Sequence, residues 1–232
     1  KVTVCDSLAP EGASAAAKTP VNLPLSLVLA DLPPKVFPTT NLPKTLSPLS
    51  FPQGLTVEAA LNRVLRLLSV GSKRFLVHKV DRSVTGLVAQ QQCVGPFQLP
   101  MADVSVIAQS HFSTQGIACA VGEQPIKGLI DCKAMARCTV AEMLTNMVWA
   151  LLSARNDIKA SGNWMWAAKL EGEGSRVWDA CEGLHDAFLA CGVGIDGGKD
   201  SLSMAAKVGD ETVKAPGMLT LTGYCTCPDI TK

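Results

Sequence analysis

The chain has 232 residues, enough for one sizeable domain with flanking material or for two small ones. Hydrophobic residues make up 47% against 18% charged, and 21 basic against 20 acidic residues leave a net charge of +1, so nothing electrostatic points to nucleic acid or an anionic membrane as partner. No apolar run approaches the ~20 residues of a membrane span, and a start at Lys1-Val2-Thr3-Val4-Cys5, without Met or a signal-peptide layout, reads as a chain cut from something larger.

Residues 1 to about 54 are rich in proline, from Pro20 and Pro24 to Pro48 and Pro52, and read as extended connector. Leu25 to Leu29 is the one place for a short helix or strand. Thr56 can cap a helix in which Val57, Ala60, Leu61, Val64, Leu65 and Leu68 recur at helical spacing until Gly71. Strands are predicted over Phe75–Val80, Val84–Ala89, Val104–Ile107 and Ile117–Val121. Residues 131 to about 153 form the strongest predicted helix, with Met135, Cys138, Ala141, Leu144, Val148, Leu151 and Leu152 as its apolar stripe. A second helix is predicted over Ser175–Cys191, and closing strands over Val193–Ile195, Ser201–Met204 and Met218–Cys225. Interleaved strands and helices give an α/β or α+β class with a mixed sheet.

Nine cysteines stand singly apart from Cys225-Thr226-Cys227, with no Cys-x-x-Cys and with His78, His111 and His185 far from any pair. That pattern argues against a zinc site or a disulfide framework and fits free, packed thiols in a reducing cytoplasm.

Three arrangements can carry chemistry. Glu142 and Asn146 stand at i,i+4 on the long predicted helix, with Thr139 and Thr145 near them, so both side chains leave one face. Two oxygen donors side by side suit a hard cation such as Mg²⁺, and a solvated helix face is the alternative. Asp103, at the start of an apolar strand, is either a ligand at a sheet end or a turn residue. The segment Gly192-Val193-Gly194-Ile195-Asp196-Gly197-Gly198-Lys199-Asp200-Ser201 can approach a phosphate through its glycines, or it is a glycine-bearing turn. It is not a Walker A loop, which needs Gly, four residues, then Gly-Lys-Ser/Thr.

Taken in order, several segments resemble one family. They are Lys79-Val80-Asp81-Arg82-Ser83-Val84-Thr85-Gly86 on through Gln90-Gln91-Gln92-Cys93-Val94-Gly95-Pro96, Pro100-Met101-Ala102-Asp103-Val104, Gly122-Glu123-Gln124-Pro125, and Ala141-Glu142-Met143-Leu144-Thr145-Asn146. Ser161-Gly162-Asn163-Trp164-Met165-Trp166-Ala167-Ala168, Gly197-Gly198-Lys199-Asp200-Ser201-Leu202-Ser203-Met204 and Ala215-Pro216-Gly217 complete the set. The sequence is similar to the large, single-chain phosphoribosylformylglycinamidine synthases, and its triple Gln and Gly-Gly-Lys-Asp-Ser resemble their eukaryotic branch.

The resemblance implies a fold like the N-terminal domain of aminoimidazole ribonucleotide synthetase, two such domains pairing sheet to sheet in the family. It implies that residues 1–45 are the tail of a preceding synthetase-like domain, 46–72 a connector helix, and 73–230 the second nucleotide-binding domain. The family is an ATP-dependent C–N ligase that makes formylglycinamidine ribonucleotide from formylglycinamide ribonucleotide with glutamine as ammonia source. Its cofactors are ATP or ADP with Mg²⁺. By the same resemblance Asp103, Glu142 and Asn146 hold Mg²⁺ and Ala102 contacts nucleotide at a site that keeps its nucleotide without turnover, while Gly198, Lys199 and Ser201 face the other, catalytic site. The expected partners are the first synthetase half and a C-terminal glutaminase of the same polypeptide, with no nucleic acid and no membrane. Two alternatives remain: a structural ADP/Mg²⁺-binding module, and a self-contained kinase or synthetase of the same superfamily. No catalytic nucleophile is expected in this chain, and the chain alone is expected to be inactive.

Overall fold

The structure is a computed structural model, and it describes residues 1–30, 36–78, 82 and 84–232. The chain divides into two units, Lys1–Pro38 and Thr39–Lys232. In the first, β1 (Val2–Val4) pairs antiparallel with β2 (Val21–Leu23), and α1 (Ala15–Lys18) lies between them in sequence. Ser14 Oγ accepts the Ala17 N–H at the start of α1. Pro24, with φ −61°, then opens α2 (Leu25–Leu29), where a fixed φ costs the helix nothing. The expected extended connector therefore carries local structure before residue 30, while residues 36–56 form neither helix nor strand.

The second unit begins with α3 (Val57–Val64), whose cap is Thr56 Oγ1 accepting the Ala59 N–H at 3.1 Å. In chain order there follow α4 (Arg74–Val77), β3 (Val88–Gln90), β4 (Val104–Ala108), β5 (Gly116–Glu123), α5 (Pro125–Gly128) and α6 (Cys132–Met147). After them come β6 (Lys159–Met165), α7 (Glu173–Cys191), β7 (Gly194–Ser201), β8 (Ala205–Val208), β9 (Glu211–Lys214) and β10 (Met218–Cys227). Six strands form one sheet in the order β3-β4-β5-β10-β6-β7. Its neighbours are antiparallel except β6 and β7, which run parallel because the long helix α7 carries the chain back between them. The mixed sheet is the α/β (α+β) arrangement expected from the sequence, and its likeness to solved structures is given below.

One face of this sheet is covered. Val104 and Val106 on β4, Ala118 and Ala120 on β5, Ala160 on β6, and Leu219, Leu221, Cys225 and Cys227 on β10 are buried, alternating with more exposed residues as a two-residue period requires. Helix α6 lies on β5 and β10, and α7 packs on α6. The close approach is made by glycines. A Cβ on Gly122 would stand 2.2 Å from the Thr139 carbonyl oxygen and 2.7 Å from Met143 N, and one on Gly223 would stand 2.8 Å from Met143 Sδ. The seam of α6 is consequently Met135, Thr139, Val140, Met143 and Met147. It is rotated from the predicted stripe, since Ala141 is exposed and Thr139, placed beside the Glu142–Asn146 pair in the sequence reading, is fully buried, while the stripe residues Val148 and Leu151 lie beyond the end of the helix. Flexible methionines fill the shallow gaps that small residues in the strands leave.

Several predicted elements need correction. The strand expected over Phe75–Val80 starts instead inside a helical turn, Arg74–Val77, with Val77 N–H bonded to Lys73 O, and residues 79–80 of that prediction lie outside the described residues. The strand expected from Val84 is interrupted because Thr85 (φ 64°) and Gly86 (φ 70°) adopt left-handed backbone, and only Val88–Gln90 is extended. Helix α6 stops at Met147, where Ala150 N–H reaches back three residues to Met147 O and tightens the chain out of the helix. The segment Gly194–Ser201 is a single strand rather than a loop, and Ser201 is its last residue rather than the first of another.

Candidate functional site

Helix α6 begins at Asp131, whose side chain accepts the Ala134 N–H, and runs four turns along β5. Glu142 and Asn146 therefore emerge one above the other beside the last residues of β5. Both are bonded to that strand. Glu142 Oε2 accepts the Glu123 backbone N–H at 2.7 Å and the Gln124 Nε2–H at 2.9 Å. Asn146 Nδ2 donates to the Val121 carbonyl at 3.0 Å, which leaves the amide oxygen as the group available to a cation.

On the neighbouring strand, Ala102 N–H donates to Gln92 O, and this bond places Ala102 and Asp103 at the start of β4. The outcome is a cavity of about 690 Å³ lined by Ala102, Asp103, Glu123, Glu142 and Asn146 together with Gln90. Residues some 40 positions apart in the sequence are gathered because β4 pairs with β5 and α6 lies on β5. Two carboxylates and an amide oxygen are hard donors of the kind Mg²⁺ takes when phosphate and water fill its remaining positions. They line the cavity without closing into a cage: among the described residues no three His, Cys, Asp or Glu side chains come together to hold a metal ion. Burial pushes the Cys119 thiol, another lining group, above its ordinary value, so it stays a neutral wall.

Two further cavities share Asp103. One, of about 410 Å³, adds Trp149 and Met101. The other, of about 550 Å³, is lined by Ser72, Lys73, Arg74 and His78. Lys73 Nζ donates to the carbonyls of Leu68 and Gly71 and folds the turn that forms this wall. The basic residues here were not singled out from the sequence. Their only signal was a Ser-Lys-Arg run after Gly71, which composition alone does not separate from a solvated turn.

Gly198, Lys199 and Ser201 lie elsewhere. They sit on β7, the far edge of the sheet, paired with Gly162, Asn163 and Met165 of β6. Strands β10 and β6 separate β7 from β5, so at ~4.8 Å per strand the two groups of residues stand roughly 14 Å apart or more. Gly198 has a steric reason: a Cβ there would come 2.1 Å from the Gly162 carbonyl oxygen. The glycine pair Gly162–Gly198 lets β6 and β7 approach, so Gly198 serves strand pairing in the first place, whereas a Cβ on Gly197 would point into open space. Lys199 is exposed, and Ser201 is half-buried at the strand end.

Comparison with known proteins bears on this architecture directly. The profile of the FGAR-AT PurM_N-like domain matches residues 72–226. The chain belongs to this family. Among curated relatives, the phosphoribosylformylglycinamidine synthase of Homo sapiens is 59% identical over 213 residues, and the probable chloroplastic/mitochondrial enzyme of Arabidopsis thaliana 60% over 212. The matches cover 92% and 91% of this chain but only 16% and 15% of those proteins, so the chain spans a small part of the length of its relatives. Among solved structures, PurLQS from Thermotoga maritima shares the fold at a TM-score of 0.54 and 12% identity, over 84% of this chain and 28% of that one. T. maritima PurL complexed with AMPPCP does so at 0.52 and 13%, over 92% and 31%. The FGAR-AT PurM_N-like domain thus accounts for the sheet, and the family resemblance read from the motifs holds. Asp103, Glu142, Asn146 and Ala102 are brought to one cavity in this domain, and Gly198, Lys199 and Ser201 are not.

Proposed function

We propose that this chain is part of a phosphoribosylformylglycinamidine synthase, an ATP-dependent ligase that makes formylglycinamidine ribonucleotide from formylglycinamide ribonucleotide with glutamine as nitrogen source. The observation that carries the reading is the cavity that joins Ala102 and Asp103, at the start of β4, with Glu142 and Asn146 on α6. In it Asp103, Glu142 and the Asn146 amide oxygen hold Mg²⁺ on the phosphates of ATP or ADP, with Ala102 against the nucleotide. A bound Mg²⁺ would neutralise phosphate charge there. Lys73 and Arg74, in the cavity that shares Asp103, add positive charge for the same phosphates. The AMPPCP carried by the T. maritima PurL of the same fold supports a nucleotide as occupant.

This nucleotide serves as structural cement. Both metal-side groups are bonded to the backbone of β5, so occupancy of the cavity is coupled to the packing of α6 on the sheet. Lys199 and Ser201, on the opposite edge, contact phosphate or substrate at a second, catalytic site completed by the first synthetase half. The uncovered sheet face, where Ile107, Ile117 and Val121 are exposed beside Thr220 and Thr222, docks that half. Phosphoryl transfer to an amide oxygen needs positioning and charge neutralisation more than a nucleophile. Residues 1–45, 46–72 and 73–230 act as the preceding domain's tail, a connector and this nucleotide-binding domain. A glutaminase domain of the same polypeptide supplies ammonia, and the free thiols suit the cytoplasm.

The test is nucleotide content. The complete protein is purified, denatured and assayed for released ADP or ATP, alongside its Asp103→Asn and Glu142→Gln variants. Retained nucleotide in the parent and its loss in both variants is expected. A parent free of nucleotide, or variants retaining it in full, would overturn the reading.

A further inference from the structure

Away from the cavity, the first residue of α7 is a carboxylate with unusual surroundings. Glu173 is 2% exposed, yet it collects three donors. Its Oε2 accepts the Trp166 indole N–H at 2.9 Å, and its Oε1 accepts Lys214 Nζ at 2.6 Å and Arg176 Nη1 at 3.1 Å. Arg176 in turn donates to the Gly128 carbonyl at 2.7 Å and to Cys132 Sγ at 3.3 Å, which ties the starts of α6 and α7 to the same centre.

Lys214 is the outlier. It comes from the β8–β9 hairpin, all eight strand residues of which are exposed, and its own side chain is 49% exposed. The hairpin leaves the domain immediately after Ser201 and returns at Gly217, which lies flat against the Trp166 ring where a Cβ would be 2.1 Å from the indole. Its feet are held by main-chain bonds that converge on Trp166: Trp166 N–H donates to Ser201 O, Met204 N–H to Trp166 O, and Ala215 N–H to Met204 O. One buried carboxylate thus grips the ring of the residue whose backbone holds both the end of β7 and the base of the hairpin, and it also grips the hairpin's own ammonium.

From this arrangement we infer that Glu173 and Lys214 form a latch that holds the β8–β9 hairpin to the domain body, and that Glu173 acts through Trp166 as a positioning residue for the end of β7. An exposed hairpin has little apolar burial to fix it. A charge-assisted bond to a carboxylate that cannot leave the interior supplies the missing restraint. Releasing it frees the hairpin itself, residues 205–214, to move as one arm while its main-chain feet and the sheet stay paired. The consequence for Ser201 rests on the reading that β7 faces a catalytic site, but the latch itself does not.

Hydrogen exchange read by mass spectrometry on the complete protein tests it, with Glu173→Gln, Lys214→Met and Lys214→Arg. Glu173→Gln keeps an acceptor for the Trp166 indole and loses the charge. Lys214→Met alters only the half-exposed end and guards against a folding failure of the first variant. Exchange across residues 205–214 is expected to rise on the order of tenfold in both, with α6 and β10 unchanged, as a local opening requires. Lys214→Arg, which keeps the cation, is expected to stay within about twofold of the parent. Unchanged exchange in Lys214→Met, an equal rise in Lys214→Arg, or a rise spread over α6 and β10 would each overturn the latch. A faster-exchanging hairpin with unaltered kcat would uphold the latch and remove Ser201 from the catalytic site.

Discussion

Asn146 and Val121 are 25 residues apart in sequence, yet the Asn146 Nδ2 donates to the Val121 carbonyl oxygen at 3.0 Å. Together with the bond from Glu123 N–H to Glu142 Oε2, it stitches the polar side of α6 to the end of β5. The residues proposed to hold a metal–nucleotide are therefore also part of the helix–sheet contact. This double role separates ligand effects from fold effects. Glu142→Gln retains a carbonyl acceptor for the Glu123 N–H, so without nucleotide it should melt within a few degrees of the parent. With ADP and Mg²⁺ at about 100 times the parent's Kd, the parent gains roughly 2.7 kcal/mol by linkage and the variant little of it. Thermal melting with and without ADP and Mg²⁺ measures the difference, and adding EDTA to the parent should reproduce the variant. Equal nucleotide-induced shifts in the two proteins would place Glu142 outside the site.

Gly122→Ala attacks the same contact from the strand. The new methyl would meet the backbone of Thr139 and Met143 rather than a side chain that could swing away. Helix α6 must then lift, at a cost of about 1–3 kcal/mol or more. Because Glu142 and Asn146 ride on that helix, bound nucleotide should fall along with stability. Denaturant unfolding and nucleotide content of the complete protein check both, and a variant as stable as the parent would show that the helix does not bear on Gly122.

The mixed sheet, both long helices and the grouping of Asp103 with Glu142 and Asn146 were legible in the sequence, the helices from their apolar spacing and the group from motif order. What escaped detection had weak local signals. Strand β6 (Lys159–Met165) mixes Lys, Ser, Gly and Asn because its second face is uncovered and its glycine exists for contact with β7. The β8–β9 hairpin is fully exposed, so no apolar alternation marks it. Strand β7 read as a glycine loop because Gly197 and Gly198 suggest a turn, whereas the register with Gly162 that explains Gly198 is a tertiary fact. Glu173 lies just before the helix predicted from Ser175 and was not singled out, since nothing in its neighbours announces Lys214 from 41 residues away.

Glu173 gives a pH dependence. Burial pushes its carboxyl up, but the bonds from Lys214 and Trp166 and the charge of Arg176 outweigh this and hold it below the ordinary value. A carboxylate whose pKa is depressed on folding adds stability above its unfolded pKa of ~4.3, and that stability is lost as pH falls through the folded value. The parent should therefore lose stability below about pH 4.3 more steeply than Glu173→Gln, which has nothing to protonate there. At neutral pH, Glu173→Ala should cost about 3–5 kcal/mol, since it strands Trp166 and Arg176 without their acceptor. Unfolding curves between acid and neutral pH decide it, and parallel acid limbs in parent and Glu173→Gln would contradict it.

The chain alone should have no ligase or glutaminase activity. The proposed role assigns none of its thiols to glutamine hydrolysis, and it makes the catalytic site depend on a second synthetase half docked on the uncovered sheet face. Product formation from formylglycinamide ribonucleotide, ATP and glutamine with the purified chain is the assay. Turnover at about 1 s⁻¹, within the usual enzyme range, would show that the chain suffices.

Lys199 and Ser201 separate the two proposed sites. Both lie on β7, with β10 and β6 between them and the cavity of Asp103, so changes there should leave the cemented nucleotide in place. Lys199 is exposed and paired in register with Asn163, so Lys199→Ala removes a charge without disturbing the core. If the ammonium meets a phosphate of the turning-over nucleotide, its loss should cost about 1.5–3 kcal/mol in kcat/KM, the range of a bond to a charged group. Ser201→Ala should cost less, about 0.5–1.5 kcal/mol, because a neutral hydroxyl contributes less. Its carbonyl bond from Trp166 N–H survives the substitution, so the strand end keeps its place. Steady-state kinetics of the complete protein, with nucleotide content measured on the same preparations, decides the assignment. Reduced turnover with full nucleotide content supports two separate sites, and unchanged turnover with lost nucleotide would assign β7 to the cement site instead.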